Sequence, residues 1–354
     1  MGERVLMKGN EALAQAAIQA GCHHFFGYPI TPQTEVAAFM SKTMPKIGGV
    51  YLQAESEIAA INMVLGAASA GVRAMTSSSS PGISLKSEGV SYIAGSDLPC
   101  VIINVQRGGP GLGGIQPSQS DYWQATKALG HGDYQLLVFA PSTVQEMVNL
   151  VMDAFDKADE YRMPAMILAD GMLGQMMEPV ELPDRSEKAL PEKPWATNGH
   201  RNQRPHNIVN SLYLQAAELE RLVDERFERY ERIKATEQRS ESMYTEDADI
   251  VVVAYGAAAR VCMSAIKEAR AKGIKVGMVR PITLWPFPTD ALKDAAANTK
   301  AFLTVEMSKG QMVDDVKLAI DCSRPVHFYG RTGGMIPQPG EVLREIEKIA
   351  GGIR

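Results

Sequence analysis

The sequence has few cysteines and no long apolar run. Its four cysteines, Cys22, Cys100, Cys262 and Cys322, are scattered over 354 residues without a CxxC pair. This spacing argues against a disulfide framework, a structural zinc site or an iron–sulfur cluster carried by this chain. No 18-residue apolar stretch is available for a membrane span, and residues 1–15 lack the apolar core of a signal peptide. We therefore expect a cytoplasmic protein that does not enter a membrane.

An excess of basic charge is also missing. The formal net charge is −5, and no run of lysine or arginine stands out. The chain therefore has no general attraction for nucleic acid or for an anionic membrane surface. With 45% hydrophobic residues, the chain can form a packed core, and its length allows two domains.

Strand and helix patterns alternate from residue 9 to about residue 175. Asn10 is a candidate cap for a first helix. Short apolar runs separated by helix-length segments follow at 23–28, 49–53, 72–77, 100–105, 135–140 and 165–169. Continuous apolar strands between helices indicate a parallel sheet covered on both faces.

Two prolines flank a threonine just after the first of these runs, in the stretch FGYPITPQTE at 26–35. Pro32 suits the first turn of a helix, and Thr31 is a plausible cap before it. Thr31 would then lie at the carboxyl end of a strand, where open α/β sheets bind their ligands.

The character of the chain changes near residue 178 and again near residue 249. Prolines and charges dominate after 178, and residues 208–240 predict one long charged helix that could be a linker, an arm on a partner subunit, or both. A second set of strands begins with DIVVVAYG at 249–256. We expect an α/β fold with two doubly wound domains, at 1–178 and 247–354, joined by a linker at 179–246.

Two motifs resemble cofactor signatures. RGGPGLGG at 107–114 contains GxGxxG, but Pro117 and Ser118 delay the helix that a nicotinamide site requires, which favours a flexible glycine loop over a ligand cleft. Asp170, in ADG at 169–171, is followed 28 residues later by Asn198, as in a thiamine diphosphate and magnesium motif. Because Asn198 lies in the proline-rich segment, an ordinary strand-end turn is favoured there.

Two further stretches carry polar groups at strand ends. Glu55 and Glu57 precede an Ala/Gly-rich helix, and since residues two apart do not share a helix face, at most one of them should point into a cleft. The small residues of that helix suit a close contact with another element. The hydroxyls of TSSSSPG at 76–82 could cap a helix or contact a ligand.

Taken together, the motifs resemble the α subunit of the 2-oxoacid:ferredoxin oxidoreductases along nearly the whole chain. The pieces fall in that family's order: GYPITP, QAESEIAAI, SSSSPGISLKSEG, QRGGPGLGG, VRPITLWPFP and VEMSKGQM. The branched-chain 2-oxoisovalerate type is the nearest subgroup, followed by the 2-oxoglutarate type. The resemblance implies coenzyme-A-dependent oxidative decarboxylation of a 2-oxoacid, with electrons passed to ferredoxin.

The resemblance also implies a division of labour between subunits. This chain would supply a thiamine pyrimidine-binding-type domain and a transketolase C-terminal-like domain, and it would bind no metal itself. A β subunit would hold the diphosphate, Mg²⁺ and a four-iron–four-sulfur (4Fe–4S) cluster. A γ subunit and a small ferredoxin-like δ subunit would complete the complex.

Four residues take roles by the same resemblance. Glu57 corresponds to the glutamate that hydrogen-bonds the aminopyrimidine of thiamine diphosphate, and Arg107 to the arginine that pairs with the substrate carboxylate. Thr31 corresponds to the substrate-contacting threonine, and Pro29 lies beside it in the cofactor-binding loop.

Two other functions stay open. A non-catalytic assembly scaffold of the same fold would be expected to have lost Thr31, Glu57 or Arg107, and all three are present. A self-sufficient thiamine decarboxylase or transketolase-like enzyme would need a working diphosphate motif, for which the chain offers only Asp170 and Asn198.

Overall fold

The structure, a computed structural model, describes residues 4–183 and 189–353. In the first part of the chain the strands are β1 Arg4–Lys8, β2 His24–Gly27, β3 Val50–Gln53, β4 Ala74–Ser78, β5 Cys100–Gln106, β6 Leu137–Phe139, β7 Pro164–Asp170 and β8 Met177–Glu181. The helices between them are α1 Gly9–Gln19, α2 Thr34–Thr43, α3 Glu57–Ser69, α4 Pro81–Gly95, α5 Val144–Tyr161 and α6 Gly171–Gln175.

The second part of the chain continues this alternation. Its strands are β9 Ser240–Met243, β10 Ile250–Val253, β11 Val276–Pro281, β12 Thr283–Trp285, β13 Ala301–Glu306 and β14 Val326–Gly330. Its helices are α7 Ala216–Thr236, α8 Gly256–Ala271, α9 Thr289–Asn298, α10 Met312–Ala319 and α11 Pro339–Ile353.

The larger sheet has the strand order β12-β6-β7-β5-β4-β2-β3, and every neighbouring pair is parallel except β12 with β6. The six strands predicted from apolar runs are confirmed. β5 and β7 are buried along their whole length because helices cover both faces of the sheet. Their register pairs Gln106 with Asp170, so both strands end at the same level.

β1 and β8 form a separate antiparallel pair. The five-stranded sheet, called the smaller sheet below, has the order β14-β13-β10-β11-β9, and only β9 is antiparallel to its neighbour. The predicted α/β fold with two parallel sheets is therefore confirmed. β9 lies in the range predicted as linker, and residues 184–188 of that range lie outside the described residues.

Asn10 does not cap the first helix, contrary to expectation. α1 begins at Gly9 after Lys8, and the Asn10 amide donates to Pro32 O at 2.8 Å and to Glu35 Oε2 at 2.9 Å. The side chain is used in a tertiary contact, which no local pattern indicates.

The long charged helix is shorter than the predicted 208–240, because α7 begins only at Ala216. Its inner face packs on the same chain, where the Tyr230 ring lies edge-on to Trp285 with centroids 5.4 Å apart. Arg229 forms an ion pair with Asp97, at the end of α4. That an arm reaches another subunit stays a prediction; the stretch 214–221, at the start of α7, is exposed throughout. Over residues 4–183 and 189–353, no helix combines the length and apolarity needed to cross a membrane.

The two sheets are connected by more than the linker. β12 comes from the second part of the chain but pairs with β6 at the edge of the larger sheet. Gln119, which is fully buried, donates through Nε2 to Tyr255 O at 2.8 Å, and its Oε1 accepts from Met307 N at 3.0 Å. Both partners belong to the smaller-sheet part of the chain.

Replacing Gln119 by alanine should lower the free energy of unfolding by about 1–3 kcal/mol, because it leaves the buried Met307 N–H without its partner and removes one of the two donors to Tyr255 O, which keeps the bond from Ala259 N. Urea unfolding followed by circular dichroism measures the change. Gln203→Ala, at an exposed position, is the matched control and should change stability little. Equal stability of the two variants would contradict the assigned role of Gln119.

Candidate functional site

The loops that follow β2, β4, β5 and β7 meet at one edge of the larger sheet, because these strands are parallel. This edge carries Thr31, the serines at 77–80, Arg107 and Asp170, and the start of α3 lies beside them. Open α/β sheets bind ligands at this edge.

Thr31 is exposed in the loop between β2 and α2, and Pro29 is exposed beside it. The prediction that Thr31 caps a helix starting at Pro32 is wrong, because α2 begins at Thr34 after Gln33. The loop carbonyls accept tertiary donors instead: Thr31 O accepts from Arg107, and Pro32 O accepts from Asn10 and Gln175. These bonds hold the loop in an irregular conformation for two residues longer than the sequence suggests.

Arg107 is buried at the end of β5, and its guanidinium group bridges two loops. Nη1 donates to Thr31 O at 3.0 Å, and Nη2 donates to Leu112 O at 3.1 Å in the glycine-rich loop. Nε is buried without a partner among the described residues. The structure therefore brings Arg107 and Thr31 together, with guanidinium donor capacity left over.

The two glutamates before α3 have opposite environments, as their spacing predicts. Glu55 is exposed, whereas Glu57 is only 6% exposed. Glu57 is the first residue of α3, and Ser56 caps this helix through Ala59 N. A Cβ placed on Gly82 would lie 2.6 Å from Glu57 Oε1 and 2.1 Å from Ser78 Oγ. The carboxylate therefore lies directly over the first turn of α4.

Within the described part of the chain Glu57 uses its backbone carbonyl to accept from Lys86, while no side-chain hydrogen bond of its carboxylate is found. Ser78 Oγ beside it is buried without a partner. Buried polar groups are normally paired, and an unpaired one is costly. A carboxylate and a hydroxyl left open in this way can accept from and donate to a bound ligand.

The serines at the end of β4 connect the loops around the site. Ser80 Oγ donates to Asp121 Oδ2 at 2.6 Å and accepts from Arg107 N at 3.1 Å. Ser80 also has a positive φ of 25°, which is uncommon outside glycine, and such strained residues occur often at functional sites. Burial raises the pKa of Asp121, while its bonds from Ser80 and Asn104 oppose this rise. Ser80 belongs to the TSSSSPG stretch, whose hydroxyls are predicted to cap a helix or contact a ligand, whereas Asp121 could not be singled out from the sequence, because it meets Ser80 only after folding.

Asp170 forms a strand-end turn, as favoured from the sequence. Its Oδ1 accepts from Met172 N and Leu173 N and so caps α6. Burial raises the pKa of Asp170 to about 6, although backbone N–H groups, including that of Ala257, act in the opposite direction. Asn198 is exposed and accepts from Arg204 at 2.9 Å. The two residues are used separately, and neither arrangement resembles a metal site.

The glycine-rich loop does not begin a helix, in agreement with the argument against a nicotinamide site. Gly111 and Gly113 have positive φ, and a Cβ on Gly113 would lie 1.8 Å from Gly108 O. Instead, residues 115–117, which follow the loop, line one cavity, and the loop itself lines a second through residues 109–112.

The first cavity, of about 760 Å³, lies beside Thr31 and is mainly apolar. Its apolar walls are formed by Pro32, Ile115, Pro117, Met172, Met176 and Ile336. Glu35 is its one ionisable lining residue. The second cavity, of about 870 Å³, is lined by the polar residues Ser80, Ser84, Asp121, Gln124, Lys309 and Thr332, among others. Across residues 4–183 and 189–353, no group of three or more His, Cys, Asp or Glu side chains could hold a metal ion.

Two family models match the sequence. The model for the thiamine diphosphate-binding domain of pyruvate flavodoxin/ferredoxin oxidoreductase matches residues 15–253. The model for core domain II of pyruvate:ferredoxin oxidoreductase matches residues 248–342. The ketoisovalerate oxidoreductase subunit VorB of Methanothermobacter marburgensis is 49% identical over 98% of this chain and 98% of its own length. The 2-oxoglutarate synthase subunit KorA of Methanothermobacter thermautotrophicus is 38% identical over 99% of this chain and 100% of its own length.

Solved structures show the same similarity. The 2-oxoglutarate:ferredoxin oxidoreductase from Magnetococcus marinus, with 2-oxoglutarate, coenzyme A and succinyl-CoA bound, superposes with a TM-score of 0.86 at 28% identity. The match covers 98% of this chain and 65% of that one, so this chain spans about two thirds of that protein's length. A split-gene transketolase, described as an inactive β4 tetramer, shares the fold with a TM-score of 0.59 at 15% identity, over 98% of both chains.

Replacing Gly82 by alanine should destabilise the chain by about 1–3 kcal/mol, because the new Cβ would overlap Ser78 Oγ and crowd the Glu57 carboxylate. Gly66→Ala is the matched control in α3, since a Cβ there meets nothing within 4 Å. Alanine favours a helix over glycine by up to about 1 kcal/mol, so the control should be neutral or stabilising. Chemical unfolding gives the free energy of unfolding of both variants. If Gly82→Ala is as stable as the parent, Ser78 and Glu57 are not packed tightly against Gly82.

Proposed function

The chain belongs to the family of 2-oxoacid:ferredoxin oxidoreductases, and from this premise we propose that it is the α-type subunit that forms the pyrimidine side of a thiamine diphosphate site. The observation that carries the proposal is the buried Glu57 carboxylate, which has no donor among the described residues. A scaffold that had lost its chemistry would have no reason to keep such a group.

Glu57 and Ser78 fit the polar edge of an aminopyrimidine. The carboxylate accepts a hydrogen bond, and the hydroxyl beside it can donate or accept. Gly82 leaves the space that keeps both groups clear of a side chain. Thiamine diphosphate, when bound, supplies the nucleophilic carbon and the electron sink that 2-oxoacid decarboxylation requires.

Arg107 and Thr31 hold the substrate in this proposal. Arg107 has one buried guanidinium N–H without a partner, and its other bonds go to neutral carbonyls. A substrate carboxylate is a stronger acceptor than a carbonyl, so the guanidinium can turn to it. The Thr31 hydroxyl is exposed at the adjacent cavity, and Pro29 restricts the loop that presents it.

The remaining parts of the enzyme are assigned to other subunits. Asp170 is buried and bonded to backbone N–H groups, which leaves it unsuited to bind a metal and a diphosphate. We assign the diphosphate, Mg²⁺ and the 4Fe–4S cluster to a β subunit, with γ and δ subunits completing a cytoplasmic complex. Coenzyme A is the acyl acceptor, and ferredoxin accepts the electrons.

The cavity beside Thr31 favours a branched aliphatic 2-oxoacid, such as 2-oxoisovalerate, over 2-oxoglutarate. Its walls are apolar, and Glu35 is the ionisable side chain lining it. Glu35 is already bonded to Asn10 and Gln175, and these bonds help to lower its pKa. A second carboxylate on the substrate would therefore meet an anion, because Lys8, which pairs with Glu35 at 3.6 Å, does not line the cavity.

Glu57→Gln should reduce kcat of the assembled complex by about 10²–10⁴-fold, because an amide cannot replace a carboxylate in assisting proton transfer. Coenzyme-A-dependent 2-oxoacid oxidation, assayed anaerobically, gives the rate. Glu55→Gln is the matched control, two residues away and exposed, and should keep the parent rate. Full activity of Glu57→Gln would favour the scaffold function, and 2-oxoacid turnover by the isolated chain would favour a self-sufficient decarboxylase.

Met172→Ala should lower kcat/KM for 2-oxoisovalerate by about tenfold, because it removes apolar contact in the substrate cavity. The same variant should change kcat/KM for pyruvate much less, since the smaller side chain does not reach that wall. Met177→Ala, at a position 53% exposed on β8, is the control. A parent enzyme that prefers 2-oxoglutarate over 2-oxoisovalerate would contradict the substrate assignment.

A further inference from the structure

Lys86, in the second turn of α4, is fully buried. Its ammonium nitrogen donates to the backbone carbonyl of Glu57 at 3.3 Å. An ammonium group has three donors, and that carbonyl is the one acceptor found for them among the described residues. No carboxylate of the described chain lies within ion-pair distance of this nitrogen.

This position is unfavourable for a lysine that serves only packing. Burial of an ammonium group without an ion pair is costly, and an apolar side chain of similar length would fill the same space. The carbonyl belongs to the first residue of α3, at the helix end where the backbone dipole disfavours a cation. A structural role alone therefore does not explain a lysine here.

The geometry explains the lysine if the charge of Glu57 has to be balanced without using its oxygens. A direct ion pair would occupy the carboxylate. A bond to the backbone carbonyl of the same residue places the positive charge close to Glu57 and leaves both Oε atoms available.

We propose that Lys86 is a positioning residue. Through its bond to the Glu57 backbone carbonyl, it balances the charge of the Glu57 side chain and fixes the start of α3, so that both carboxylate oxygens stay free for a ligand. This inference rests on the proposed function, in which that ligand is the aminopyrimidine of thiamine diphosphate.

The proposal carries a pH dependence. Burial lowers the pKa of Lys86 to about 8, and the negative charge of Glu57 acts in the opposite direction. Near Lys86, Glu57 is the charged group on α3, whereas Glu88 and Tyr92 on α4 bond to each other on its exposed face. Lys86 therefore loses its charge as the pH rises through about 8, and ligand affinity at Glu57 should fall over the same interval.

The test measures thiamine diphosphate binding to the assembled complex by equilibrium dialysis at a series of pH values between 6 and 10. The parent complex should lose about tenfold in affinity as the pH rises through this interval, by analogy with other charged groups that act on a ligand. Lys86→Met should bind thiamine diphosphate about tenfold more weakly at pH 7, and its affinity should not fall further as the pH rises. Lys86→Arg, whose side chain stays charged throughout, should lose affinity only above pH 10.

Lys46→Met is the control, because Lys46 is exposed and belongs to neither α3 nor α4. Thermal unfolding of each complex shows whether a variant is folded. If Lys86→Met is not folded, the pH dependence of thiamine diphosphate affinity in Lys86→Arg tests the inference. If a folded Lys86 variant loses affinity over the same pH interval as the parent, the inference is overturned. Failure of the proposed function gives a different result, since Glu57→Gln would then bind thiamine diphosphate as tightly as the parent.

Discussion

Serine hydroxyls at the end of β4 hold together the loops on which the site depends. Ser77 donates to Gln33 Oε1 at 2.6 Å, just before α2, and Ser79 donates to Val105 O at 2.7 Å, on β5. Ser80 donates to Asp121 at 2.6 Å. These short side chains let neighbouring strands and loops approach closely while each hydroxyl keeps a partner. Ser78, the remaining serine, faces Glu57 and has none.

The smaller-sheet region is part of the site and not an attachment to it. Ile336 lines the cavity beside Thr31, while Met307 and Lys309 line the polar cavity beside Ser80. Glu306 shapes the turn that presents them, because its buried carboxylate accepts from Ser308 Oγ and from the backbone N–H of Gln311, Met312 and Val313. A change in this turn would therefore reach the ligand cavities without any change in the larger sheet.

The sequence predicts best the features that depend on a local residue pattern. Continuous apolar runs predict the parallel strands, because burial on both faces leaves no polar position within them. The spacing of Glu55 and Glu57 predicts that they cannot both point inward. The start of α2 is missed, since Arg107 and Asn10 bind the loop carbonyls from far away in the chain. Lys86 is missed for the same reason: its burial against α3 leaves no trace in the residues around it.

The family resemblance adds what physical patterns cannot, namely a chemical role for Glu57 and Arg107. Spacing alone gives two acids before a helix and one arginine after a strand. Their contacts in the folded chain supply independent reasons to look at them: a carboxylate close to an unpaired buried hydroxyl, and a guanidinium group with an unused N–H. The two kinds of reasoning agree on the residues although they start from different observations.

The pairing of β12 with β6 has a consequence for how the protein is made. β12 comes from the part of the chain synthesised late, so the growing polypeptide completes β6 long before its neighbour leaves the ribosome. Until then the backbone N–H and C=O groups along that edge have no partner, and an open strand edge invites pairing with another chain. β6 is only three residues long and buried among helices, which keeps this transient edge short.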